Sequence, residues 1–83
     1  MTYTEAIKAM INDVIQDNPA LKSIITIKDT RLTTKTIGQY LIVHFAESKD
    51  YYIFNIYHYK FATNATSLAA AYRYAKNHNA CLR

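Results

Sequence analysis

Two runs decide how this chain is read: Thr36-Ile37-Gly38-Gln39-Tyr40-Leu41-Ile42-Val43-His44-Phe45-Ala46-Glu47 and Asp50-Tyr51-Tyr52-Ile53-Phe54-Asn55-Ile56-Tyr57-His58-Tyr59-Lys60-Phe61. Both are rich in β-branched and aromatic residues, which suit a pleated surface better than a helix. Only Ser48-Lys49 separates them, so they read as strands 36–47 and 50–61 of one hairpin with a two-residue turn. That turn pairs Glu47 with Asp50 and sets the register behind it. Phe45 then lies opposite Tyr52, Val43 opposite Phe54, and Leu41 opposite Ile56, giving one uniformly apolar face. The other face holds Tyr40, Ile42, His44, Tyr51, Ile53, Asn55, Tyr57 and Tyr59, with Gly38 beneath Tyr59. A one-residue slip would mix the two sets, so the alternation supports this register. The like charges of Glu47 and Asp50 facing each other hint at a looser loop.

Upstream, Thr2-Tyr3-Thr4-Glu5 has the form of a capping box. Ile7, Met10, Ile11 and Val14 follow at helical spacing, and Asn18-Pro19 ends the pattern, so a helix is expected over about 3–17. Ser23–Lys28 is short and β-branched and reads as a strand, about 23–28. Asp29–Lys35 is polar and threonine-rich and reads as a loop. Downstream, Asn64 or Thr66 can cap a last helix over about 65–78. Its stripe is Leu68, Ala71, Tyr72 and Ala75, with Arg73, Lys76, Asn77 and Tyr74 toward water. Residues 80–83 read as a tail, and His58 as the end of the core-facing row near Gln39. The expected fold is a single α+β domain over 1–83, in the order α-β-β-β-α. Its three-stranded antiparallel sheet carries both helices on one face, leaving the second face open.

A chain of 83 residues makes one domain with a thin core. Eight tyrosines are more than such a core hides, so several are expected at the surface. Cys81 is the lone cysteine, which rules out an internal disulfide and favours a reducing compartment. The first residues lack the pattern of a signal peptide, and no apolar run reaches membrane-span length. A cytoplasmic location is expected, no membrane association, and Asn64-Ala65-Thr66 is read as a chance glycosylation match. The net charge of +4 is uneven: residues 51–83 carry Lys60, Arg73, Lys76 and Arg83 and no acid. That points weakly to an anionic partner, against the plainer reading of a solvated face.

Catalytic signals are missing from the pattern. His78 and Cys81 stand three apart at a helix C-terminus, where the partial negative charge disfavours a thiolate. His44 and His58 fall on opposite faces, and no four ligands converge for a structural zinc. Glu47 and Asp50 have no apolar pocket to separate their pKa values. One glycine makes no phosphate loop. No catalytic residue, metal or cofactor is expected, and the chain reads as a non-enzyme.

The open sheet face is the candidate site. Its binding residues would be Tyr40, His44, Tyr51, Asn55, Tyr57 and Tyr59, because a bare amphipathic patch of this kind reads as a contact surface. Tyrosine offers contact area at small entropy cost. Three readings stand: a protein-binding inhibitor, a nucleic-acid binder that adds Lys60, Arg73 and Lys76, and a homodimer through the same face.

The α-β-β-β-α order resembles double-stranded RNA-binding domains, whose last helix starts with lysines; here that start is Asn64-Ala65-Thr66-Ser67-Leu68, so the RNA-binding residues do not carry over. Phe61-Ala62-Thr63 with Ala70-Ala71-Tyr72 and Ala75 resembles the strand-to-helix passage of AP2-type and phage-integrase arm domains, with Tyr and Ile where their DNA-contacting side chains stand. In size and plain single-domain character the chain resembles the small inhibitor proteins of phages and mobile elements, anti-CRISPR proteins among them. That last resemblance implies a non-catalytic protein that blocks a host protein or nucleoprotein complex by contact.

Overall fold

A computed structural model of the chain describes residues 2–27 and 31–78. Helix α1 is Tyr3–Asp17, and helix α2 is Leu68–His78. Between them run β1 (Leu32–Ile37), β2 (Tyr40–Phe45), β3 (Tyr51–Asn55) and β4 (Lys60–Ala65). The strands form one antiparallel sheet in the order β1-β2-β3-β4. The α+β class is as expected; the sheet has four strands rather than three.

α1 forms as its sequence requires. The Thr2 hydroxyl accepts from the Glu5 N–H at 3.2 Å, and the Thr2 N–H donates to the Glu5 carboxylate at 2.9 Å. The Thr2 backbone N–H, and after it the Thr2 hydroxyl, hold the Glu5 carboxyl below its ordinary value of 4.5. Stability from a depressed carboxylate is present above the unfolded-state pKa and is lost as pH falls through the folded one. Thr2→Ala removes the hydroxyl that caps the Glu5 N–H and is expected to cost about 1 kcal/mol at pH 7. The backbone bond to Glu5 survives this change, so the gap should narrow at pH 3 only by the hydroxyl's smaller share, which urea unfolding at the two pH values measures.

Three expectations about the strands are corrected. Over its described part, 23–27, the segment expected as strand 23–28 is no strand. Pro19 starts a 3-10 helix, Pro19–Ser23, at the position where its missing N–H costs nothing. Leu21 and Ile25 then plug the core, and the Thr26 N–H donates to the Tyr52 hydroxyl at 3.2 Å. Residues 28–30 lie outside the described residues. The threonine-rich stretch expected to be a loop supplies β1. An edge strand pairs on one side only and tolerates polar side chains; Leu32, buried opposite Phe45, anchors it. The run 50–61 is two strands, β3 and β4, broken by a turn at 56–59.

The hairpin register is displaced by two residues. Val43 pairs with Tyr52 and Leu41 with Phe54, around the loop Ala46–Asp50. An even displacement leaves the side chains of β2 and β3 on their expected faces. Glu47 takes a left-handed φ of 69° in that loop, and the Ser48 N–H donates to the Phe45 carbonyl at 3.1 Å. Gly38, with φ 56°, makes the β1–β2 turn and does not lie beneath Tyr59. A bulge between Ile53 and Phe54 leaves Ala62 of β4 without a partner in the ladder.

The helices lie on opposite faces of the sheet, which overturns the expectation of two helices on one. Ile7, Ile11 and Val14 of α1 share a buried cluster with Leu41, Val43, Phe45, Tyr52 and Phe54. Ala71 and Ala75 of α2 share a second cluster with Tyr40, Ile42 and Ile53. The second face carries too much apolar surface to stay bare, and the small alanines let α2 approach it closely. α2 starts at Leu68, and Ser67 rather than Asn64 or Thr66 caps it, its hydroxyl accepting from the Ala70 N–H at 3.1 Å. Leu68, expected in the buried stripe, is exposed. Among the described residues, no helix is long and apolar enough to cross a membrane.

Candidate interaction surfaces

The nine candidate binding residues do not form one surface. Tyr40 belongs to the core: it is 7% exposed and meets Tyr74 edge-on, ring centroids 5.7 Å apart. Its hydroxyl and the Gln39 amide donate to the His78 carbonyl at 3.4 and 3.3 Å, closing the C-terminal end of α2. Burial, and then the neighbouring Tyr40, push the Tyr74 hydroxyl above its ordinary value of 10.0.

His44 and Tyr51 are half-buried and stacked, ring centroids 4.2 Å apart. His44 Nε2 donates to the Ser48 carbonyl at 2.8 Å, which ties down the β2–β3 loop. The pair borders a groove of about 260 Å³ between β1 and the start of α2, with Lys35, Leu68 and Tyr72 around it. That groove is what remains of the expected open face.

Asn55 has a backbone-organising role. Its Oδ1 accepts from the Tyr57 and His58 N–H groups at 3.0 and 3.1 Å, building the β3–β4 turn. The Ile56 N–H donates to the Gln39 carbonyl at 2.9 Å and ties the turn to the β1–β2 turn. Tyr59 leaves this turn with φ 58°, a left-handed conformation that costs a non-glycine residue about 1 kcal/mol. The conformation turns its ring toward α1, where its hydroxyl donates to Asp13 Oδ2 at 3.4 Å. Partial burial, and then the Asp13 charge, raise the Tyr59 hydroxyl above its ordinary value of 10.0.

The turn therefore presents two aromatics that the core does not use: Tyr57 is 64% exposed and Tyr59 45%. Between the turn and the end of α1 lies a groove of about 400 Å³. Val14, Leu21 and Phe61 supply its apolar lining, Asp17 and Asn18 its helix side, and His58, Tyr59 and Lys60 its turn side. His58, expected to face the core, is exposed here. The sequence reading missed this groove. The available signal was Asn55, a turn-former in the middle of a presumed strand.

Arg73 and Lys76 are exposed on α2, with no ion pair to a described residue. They ride on the helix that covers the second face, while Tyr59 docks on the helix that covers the first. The aromatics of the turn and the cations of α2 thus belong to opposite layers. His78, stacked on Tyr74 at 3.9 Å, donates from Nδ1 to the Tyr74 carbonyl at 2.9 Å. Cys81 and Arg83 lie outside the described residues. Among the described residues, no group of three or more His, Cys, Asp or Glu side chains is placed to hold a metal ion. Compared with known protein families, curated proteins and solved structures, the chain matches none.

Proposed function

We propose that the chain is a non-catalytic binding protein that acts by covering the surface of a protein partner, as a phage-type inhibitor of the anti-CRISPR kind does. The contact surface is the β3–β4 turn, with Tyr57 at its centre, rather than the sheet face. The observation that carries this reading is the exposure of Tyr57, 64%, on a turn whose backbone is fixed from within by Asn55. A large ring presented by a rigid backbone loses little entropy when it is buried by a partner, which is the property of an interface anchor.

The position of the acids favours protein over nucleic acid. Asp13 and Asp17 flank the Tyr59 ring and repel phosphate, while Arg73 and Lys76 stand on the other layer. A homodimer through the second sheet face has no bare face to use, because α2 occupies it.

The test is capture of a partner from host lysate by the wild type and by Tyr57→Ala. Truncating an interface anchor costs 2 kcal/mol or more, about thirtyfold in affinity. The variant should lose capture to that degree with an unchanged melting temperature, since the ring touches no core. Equal capture by both proteins refutes the turn as the contact. A parallel titration of tyrosine fluorescence with oligonucleotides should show no quenching at about 50 or 200 mM salt. Quenching that fades at the higher salt would transfer the reading to nucleic acid.

A further inference from the structure

The groove between α1 and the β3–β4 turn has a chemistry more specific than a general contact surface. Its lining is apolar, from Val14, Leu21 and Phe61, and the Tyr59 ring stands at one side. Its helix side is negative for three reasons. Asp17 lines it, Asp13 lies one turn earlier on the same face of α1, and both stand in the last two turns of a helix. The helix end adds a partial negative charge of its own, and the last turn of α1 carries no basic residue to offset it.

This placement works against stability. Like charges four apart on a helix repel, and carboxylates at a helix C-terminus oppose its dipole. Among the lining residues, Lys60, exposed on the turn side, sets one positive charge against Asp17, the neighbouring Asp13 and the helix end. The chain as a whole is basic, at +4, so this is a local acidic site on a cationic protein.

The geometry points to an arginine side chain of a protein partner as the occupant of this groove. The inference rests on the proposed protein-binding role of the turn. Arginine fits each element. Its three-carbon stem covers the apolar lining, its planar guanidinium stacks on the Tyr59 ring, and its fork of N–H donors meets the Asp17 carboxylate in two parallel bonds. Lysine supplies the charge without the plane, and citrulline the plane without the charge.

The probe is the blocked tripeptide Ac-Gly-Arg-Gly-NH2, titrated into the isotope-labelled protein and followed by NMR. Shifts should centre on Val14, Asn18, Leu21, Tyr59 and Phe61 and should saturate. The matching citrulline and glutamate peptides should bind at least tenfold more weakly, and the lysine peptide severalfold more weakly. Asp17→Asn should weaken the arginine peptide about three- to tenfold while leaving the fold intact. The same change removes a like-charge pair, so its melting temperature should rise by about 1–4 °C.

No saturable shift at these residues, or equal binding of arginine and citrulline, overturns the proposal; a lysine peptide that binds as well as arginine overturns the assignment to a guanidinium. The two readings fail separately. If Tyr57→Ala loses the partner but the arginine peptide does not bind, the contact surface stands and the arginine assignment falls. If the peptide binds but Tyr57→Ala captures the partner normally, the groove stands and the role of the turn as the partner contact falls.

Discussion

Replacing Ile53 with asparagine is expected to leave the protein largely unfolded at 37 °C. Ile53 is fully buried at the centre of the second face, opposite Ile42 and among the alanines of α2. Removing the branched side chain costs about 2–5 kcal/mol, and burying an amide with no partner adds about 1–3 kcal/mol. A chain of 83 residues has a total stability of only about 4–12 kcal/mol at the usual 0.05–0.15 kcal/mol per residue. Ile53→Val, which keeps most of the volume, should cost no more than about 1.5 kcal/mol and remain folded. Thermal melts followed by circular dichroism separate the cases. A melt for Ile53→Asn within a degree or two of wild type would mean that the second face is solvated and that α2 does not cover it.

Phe45→Ala should be comparably severe on the opposite face. Phe45 is fully buried in the α1 cluster, with Leu32 across the ladder and the Tyr52 ring edge-on at 6.4 Å. Truncating a ring at such a site costs about 3–5 kcal/mol through lost burial and the cavity left behind. The position also holds the edge strand, because Leu32 is the buried anchor of β1 and packs with Phe45. β1 should therefore lose amide protection before the rest of the sheet, which hydrogen exchange on any folded fraction at 10 °C would show. Phe45→Leu refills most of the space and should recover about half of the loss. Uniform loss of protection across all four strands would mean that β1 does not depend on this contact.

The parts legible in the sequence are those governed by neighbours in the chain. α1 follows from the Thr2–Glu5 box, the stripe Ile7, Met10, Ile11, Val14, and Pro19 after it. The assignment of the residues of β2 and β3 to two faces also holds, because side-chain alternation has a period of two and survives an even displacement of register. The β1 strand was hidden because threonine serves turns and edge strands alike, and only the pairing with β2 decides between them. The β3–β4 turn was hidden because the aromatics Tyr57, His58 and Tyr59 prolong a strand-like pattern through it. The hydrogen bonds that break the strand come from one side chain, Asn55.

The amino-acid sequence by itself determined the first helix, the two-faced hairpin, the apolar stripe of Ala71 and Ala75, and a surplus of tyrosine over the available core. Tertiary structure alone decided which tyrosines are surplus. Tyr40, Ile42 and Ile53 belonged to the expected open face until α2 settled on them, and Tyr57 and Tyr59 left that face when the chain turned at Asn55. The physical reason is that alternation tells which residues share a face, while burial depends on what comes to lie against that face. A sheet with apolar residues on both sides and a helix at each end buries most apolar area with one helix on each side.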